Sequence, residues 1–190
     1  MSRQTDLCTF AESWLRRPLT SSDAIIVSSS VTLPAALREI YETFGRCRPL
    51  TRAHDCLLAP GKIEPRDEYS IFYVENQGVA YWAFKTEDAE ADDPIVHQCS
   101  DSLTGFHWNS ERIPISAWIR YMTLRQLDLG GYSHGAYARG ITDAAKIVSA
   151  TFPEVTRHPD GHTRFYGADG ALVCLTGSDP TPSVLSLIHI

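Results

Sequence analysis

Gly131-Tyr132-Ser133-His134-Gly135 has the form G-x-S-x-G. In α/β-hydrolases this pattern exposes a nucleophilic serine on a sharp turn between a strand and a helix. An aspartate and a histidine follow in the order a triad requires, Asp143 and then His158 or His162. The chemistry would be acyl transfer through Ser133. The elements needed to position that serine are not written in the chain. The residues before Gly131 have helical spacing, no alternating β-α units precede them, and there is no HGGG-like oxyanion segment. A Gly-rich loop between helices accounts for the five residues better, and a small serine hydrolase is the less favoured reading.

The other reactive residue types do not assemble into a site. The histidines His54, His97, His107, His134, His158, His162 and His189 form no metal set. His158 and His162 are four apart, but Pro159-Asp160-Gly161 excludes the helix that would aim both rings at one ion and spells a turn instead. Cys8, Cys47, Cys56, Cys99 and Cys174 are odd in number and include no C-x-x-C, a usage that fits reduced thiols, most of them small core hydrophobes. Cys56 lies near His54, yet a Cys-His nucleophile pair needs a geometry that spacing does not supply. There is no Walker A loop, no G-x-G-x-x-G and no EF-hand pattern. The expectation is no catalytic residue, no metal and no cofactor.

Charge is more informative. Glu87, Asp88, Glu90, Asp92 and Asp93 place five acids within seven residues. The 190-residue chain carries 23 Asp and Glu against 17 Lys and Arg, a formal net charge of −6; without those five the count is 18 against 17. Almost the whole imbalance is therefore local. A run of this kind is ordinarily a solvated loop, but it is also a docking surface for a basic partner, where like charges raise association rates in a salt-dependent way. With neither a basic excess nor a basic block, nucleic acid and anionic membrane are not expected as partners. No apolar run approaches the ~20 residues that span a bilayer, and MSRQTDLCTFAESW has no apolar signal region, so a cytoplasmic location is expected. Tyr132, Tyr137 and Trp108 are of the type that anchors interfaces.

The elements follow from periodicity. Leu7, Phe10, Ala11, Trp14 and Leu15 fall at i, i+3, i+4, i+7 and i+8, with Thr5 or Asp6 as N-cap, and predict an amphipathic helix. A Ser-rich stretch from Thr20 to Ser30 reads as a loop. Thr32 as N-cap, Pro34 in a first turn, a stripe of Leu33, Leu37, Ile40, Tyr41 and Phe44, and Gly45 as a left-handed stop predict a second helix. Tyr69–Val74 and Val79–Phe84 are β-branched and aromatic runs around Glu75-Asn76-Gln77-Gly78, a hairpin turn. In that turn Asn and Gly tolerate positive φ and side-chain amides serve loop backbone groups. An extended piece around Ile95 to His97 follows the rigid Asp93-Pro94 step. Ser116 as N-cap opens a helix with Ile115, Trp118, Ile119 and Met122 on one stripe, ending before Gly130. A shorter helix spans Thr142 to Ala150. Thr163–Tyr166 and Ala171–Thr176 form a hairpin, and Val184–Ile188 a last strand.

This order does not alternate as β-α-β, so the class is α+β. We expect a single domain over residues 1–190, with a central, mainly antiparallel twisted sheet flanked by about four helices. The composition, 43% hydrophobic and 21% charged, is that of an ordinary globular protein. By surface scaling a chain of this size buries roughly 70% of its unfolded surface, enough for one core.

Residues 33–118 carry a family resemblance. Leu33-Pro34 opens a helix that ends Tyr41-Glu42-Thr43-Phe44-Gly45; Leu57-Leu58-Ala59-Pro60 follows, then Phe72-Tyr73-Val74-Glu75-Asn76-Gln77-Gly78-Val79-Ala80-Tyr81-Trp82, then Asp92-Asp93-Pro94-Ile95-Val96. This resembles the SMI1/KNR4, or SUKH, superfamily, whose most specific match here is the hairpin from Glu75 to Trp82. Ile95 stands where a second proline is common in the family. The resemblance implies an α+β domain without enzymatic activity that binds another protein. In bacteria that is an immunity protein occluding a cognate polymorphic or contact-dependent toxin, often a nuclease with a basic surface. In fungal relatives it is a regulator, so a scaffold binding an endogenous protein is the alternative. Glu75, Asn76, Gln77, Gly78 and Trp82 are expected to be mainly structural, and Glu87, Asp88, Glu90, Asp92 and Asp93 to form the candidate partner-binding surface.

Overall fold

The computed structural model describes residues 3–100, 107–130, 134–141, 143–158, 161–168, 170–177 and 184–189. Five helices and eleven strands occur there. They are α1 (Arg3–Leu15), α2 (Ala35–Phe44), α3 (Arg48–Thr51), β1 (Cys56–Leu57), β2 (Pro65–Arg66), β3 (Tyr69–Val74), β4 (Ala80–Lys85), β5 (Ile95–Ser100), β6 (His107–Pro114), α4 (Ile115–Gly130), β7 (His134–Ala138), α5 (Ala144–Ser149), β8 (Glu154–Arg157), β9 (Thr163–Ala168), β10 (Ala171–Thr176) and β11 (Val184–His189). The class is α+β and every strand pairing is antiparallel. The strands form two sheets, in the orders β1-β3-β4-β5-β6, with β2 on β3, and β7-β11-β10-β9-β8. The chain correspondingly divides into two compact units, residues 19–119 and residues 1–18 with 120–190.

In the unit 19–119 aromatic side chains of β3 and β4 make up much of the core. Phe72 and Phe84 pair across β3 and β4 with ring centroids 6.2 Å apart. Trp118, at the start of α4, meets Phe72, Tyr73 and Trp82 at 5.4, 4.9 and 5.4 Å. Leu37, Ile40, Tyr41 and Phe44 of α2 are fully buried, as their spacing predicts. Burial of the Tyr41 hydroxyl raises its pKa, and it donates to the Leu58 carbonyl.

In the other unit, β9 and β10 are covered on both faces. Ala144 and Val148 of α5 pack with Tyr166, Val173 and Leu175. Phe165 and Gly167 alternate with Tyr166 and so point the other way. Tyr121 of α4 lies 5.7 Å from the Phe165 ring, and a Cβ at Gly167 would stand 2.8 Å from the Phe10 ring of α1.

Several local expectations need correction. Thr5 and Asp6 lie inside α1. Pro34, with φ −51° and ψ 141°, occupies the N-cap position of α2, and no side chain caps that helix, Thr32 included. Gly45 is right-handed at φ −56°; glycine is required because a Cβ would lie 2.8 Å from the Tyr41 carbonyl oxygen and 3.1 Å from Ile25 Cδ1. Ser116 is the second residue of α4, which continues through Gly130. The loop expected at Gly131–Gly135 gives way to β7 from His134. β1, β2, β6, β7 and β8 were not expected; they are two to five residues long or, in β6, exposed at half of the residues, and they lack apolar alternation.

Gly167→Ala should destabilise the chain by about 1–3 kcal/mol through overpacking against Phe10. Gly61→Ala, where a Cβ meets nothing within 4 Å, should stay within about 0.5 kcal/mol of the parent. Urea denaturation of both variants checks the contrast, and equal midpoints would remove the proposed contact.

Candidate functional site

Two sets of residues were singled out by sequence, and the structure places them at opposite ends of the same strand. Glu75-Asn76-Gln77-Gly78 precedes β4 and Glu87–Asp93 follows it. Six antiparallel residues at about 3.4 Å each put about 20 Å between them, so they do not form one site.

The hairpin tip is held by carboxylates. Glu75 Oε2 accepts from the Gln77 and Val79 N–H groups at 2.8 and 3.4 Å. The Gly78 N–H donates to the Glu75 carbonyl at 2.9 Å. Gly78 has φ +72°, whereas Asn76 keeps negative φ, so only the glycine supplies the left-handed step. The buried carboxylate of Asp55 accepts the Asn76 N–H at 3.1 Å and contacts His54 Nδ1 at 2.8 Å, while Asn76 Nδ2 meets His54 Nε2 at 2.9 Å. Loop backbone groups are thus served by carboxylates in place of the expected amides. Sequence reasoning missed Asp55 and His54, because their partner is some twenty residues away. Trp82, half-buried beside Trp118, donates its Nε1–H to Glu111 at 3.2 Å. Glu75, Asn76, Gln77, Gly78 and Trp82 each take part in a hydrogen bond within the chain.

The acidic segment begins on a single 3₁₀ turn, Thr86–Asp88. Its start is tied down by the Thr86 N–H to the Glu68 carbonyl at 2.8 Å and by the Ser70 and Thr86 hydroxyls at 3.0 Å. Its end joins two helices. Ala35 and Ala36, first in α2, donate to the carbonyls of Ala91 and Asp92 at 3.1 and 2.8 Å. The first N–H of α4, on Ile115, donates to the Pro94 carbonyl at 3.0 Å. Asp93 then accepts the Ser116 N–H at 2.9 Å and the Ser116 hydroxyl at 2.6 Å. The cap of α4 is therefore Asp93, with Ser116 donating to it.

Glu87, Glu90, Asp92 and Asp93 are exposed and Asp88 is half-buried. Glu87 pairs with Lys85 at 3.3 Å. Glu90 and Asp92 make no side-chain hydrogen bond or ion pair among the described residues. The segment thus displays carboxylates outward from a backbone fixed at both ends, an arrangement suited to meeting positive charge.

The elements flanking the hydrolase pattern do not have the order of an elbow. Gly131, Tyr132 and Ser133 lie outside the described residues, and the elements flanking them run helix then strand, α4 before and β7 after. An elbow needs the reverse order. No group of three or more His, Cys, Asp or Glu among the described residues is placed to hold a metal ion. Burial pushes the Cys174 thiol up to about 12, which leaves it unreactive at neutral pH. Of the aromatic candidates, Tyr137 is exposed, and Trp108 stacks on Tyr69 at 4.6 Å. The chain matches no protein-family model, no curated protein and no solved structure.

Asp93→Ala should cost about 1 kcal/mol, the worth of a helix N-cap. Asp92→Ala, which keeps the carbonyl used by α2, should cost less than about 0.5 kcal/mol. Denaturant midpoints read the difference, and equal losses would deny Asp93 its capping role. A second expectation concerns His97, whose ring lies 5.1 Å from that of Tyr69. Burial holds its imidazole below the ordinary 6.5; the Ile95 backbone and Asp88 oppose the lowering and Lys85 adds to it. The unfolded chain therefore binds this proton more readily, and stability should fall as pH drops below about 6.5. His97→Gln should flatten that part of the curve in urea titrations at pH 7.5 and 5.5; an unchanged slope would assign it elsewhere.

Proposed function

We propose that the chain is a non-enzymatic, protein-binding immunity protein of the cytoplasm that neutralises a cognate bacterial toxin by occluding it. Glu87, Asp88, Glu90 and Asp92 form part of the surface that meets a basic partner. The observation that carries the reading is the anchoring of the acidic segment. Its backbone is committed to α2 and α4 while Glu90 and Asp92 remain without side-chain partners among the described residues. A segment already ordered in the free protein loses less conformational entropy on association. Several like charges on it steer a basic partner by long-range attraction. The family resemblance of residues 33–118 supplies the immunity role, and inhibition by occlusion requires no turnover. No helix among the described residues is long and apolar enough to cross a membrane, which accords with the proposed location.

Co-expression with the toxin-like product of the neighbouring gene should restore growth; absence of rescue would overturn the immunity reading and leave a scaffold for an endogenous protein. In the purified pair, Glu87→Gln, Asp88→Asn, Glu90→Gln and Asp92→Asn together should slow association about tenfold or more at low salt and flatten its salt dependence. Asp93 is kept, because its loss would perturb α4. Unchanged kinetics would place the interface elsewhere.

A further inference from the structure

The unit 19–119 contains a cavity of about 300 Å³ unconnected with the acidic segment. Arg46, Arg48 and Arg52, all exposed, line it together with the apolar Ile25, Leu57 and Leu58, and no acidic residue is in its lining. None of the three guanidinium groups has a hydrogen-bond or ion-pair partner among the described residues. In a chain of net charge −6, three arginines around one concavity with no carboxylate between them form a concentrated positive site. A cleft lined by one sign of charge focuses its field on the space inside.

We propose that this cavity binds a phosphomonoester, a terminal phosphate carried on a compact apolar or planar body. Guanidinium forks match phosphate oxygens two bonds at a time. Three of them offer more donors than one carboxylate can accept, whereas a phosphate dianion presents three strong acceptor oxygens and close to two charges. The Thr51 hydroxyl already donates to the Cys47 carbonyl at 3.1 Å, so the arginines supply the donors. Ile25, Leu57 and Leu58 give the organic body an apolar seat, and the volume falls at the lower end of the range for small-molecule sites. Three cations would neutralise only about three phosphates of a nucleic-acid backbone, whose binding strength grows with the number neutralised, so the ligand is a small molecule. This inference is independent of the immunity reading.

The test is isothermal titration of the full chain at low salt with phenyl phosphate, adenosine 5′-monophosphate, adenosine, inorganic phosphate and a glutamate-rich peptide. One of the two phosphomonoesters should bind more tightly than adenosine or inorganic phosphate. Each of Arg46→Gln, Arg48→Gln and Arg52→Gln should weaken it about tenfold or more, and the triple variant should abolish it. If the triple Gln variant fails to fold by circular dichroism, the triple Lys variant decides instead: it keeps the charge, loses the forks and should bind clearly more weakly. No binding of either phosphomonoester at millimolar concentration, or binding undiminished in the variants, overturns the proposal. Equal affinity for inorganic phosphate overturns it as an anion site that reads no organic body. Preference for the acidic peptide overturns it in favour of protein docking.

Discussion

A helix begins with N–H groups that have no partner of their own, and in the unit 19–119 a single stretch, residues 91–94, answers two such beginnings. The carbonyls of Ala91 and Asp92 take the first N–H groups of α2, and the Pro94 carbonyl with the Asp93 carboxylate takes those of α4. These helices carry Leu37, Ile40, Phe44 and Trp118 into the buried core, so the placement of that core depends on where this stretch runs. The positive end of each helix dipole also favours nearby negative charge. Acidic residues around 91–94 therefore have a reason to exist in the folded chain before any partner is considered. Asp93 is spent on that role, while Glu90 and Asp92 are left facing outward.

How much of this was legible depended on the range of the interaction that decides each feature. The stripes of α1, α2 and α4 and both long hairpins follow from local periodicity, and burial at Leu7, Ala11, Trp14, Leu37, Ile40 and Trp118 agrees with it. The caps were misread because they are supplied from afar. Thr32 and Ser116 have the right residue type beside the right helix, yet the groups that satisfy α2 and α4 come from residues 91–94. The edge strand β6, His-Trp-Asn-Ser-Glu-Arg-Ile-Pro, is exposed at half of its positions and buried only at Ile113, and so has no alternation to betray it. Division of the strands between two sheets was equally hidden, since a strand's own pattern does not name its neighbour.

The candidate surfaces show the same limit. The acidic run is contiguous and was visible in the chain. Arg46, Arg48 and Arg52 are almost as close in sequence, but what makes them a site is the return of Leu57 and Leu58 and the approach of Ile25 beside them. That closure is tertiary. A count of bases against acids over the whole chain averages the two patches into a mild excess of negative charge and conceals both.

The two patches are related through α2. The acidic segment supplies acceptors at its first residues, and Gly45, just past its last residue, lines the arginine cavity. Ten residues of helix separate these ends, about 15 Å at 1.5 Å per residue. Each end thus carries charge of the sign its dipole favours, negative at the start and positive at the finish. That orientation explains how opposite charges can be kept apart on one small unit without pairing with each other. The dipole stabilises the charge of the arginines, which are exposed, while leaving their N–H donors to water until a ligand takes them. The separation also exceeds the Debye length of ~8 Å at physiological ionic strength. A basic protein at one end and a phosphate at the other would accordingly be recognised almost independently, with a salt dependence set by each patch rather than by the net charge of the chain.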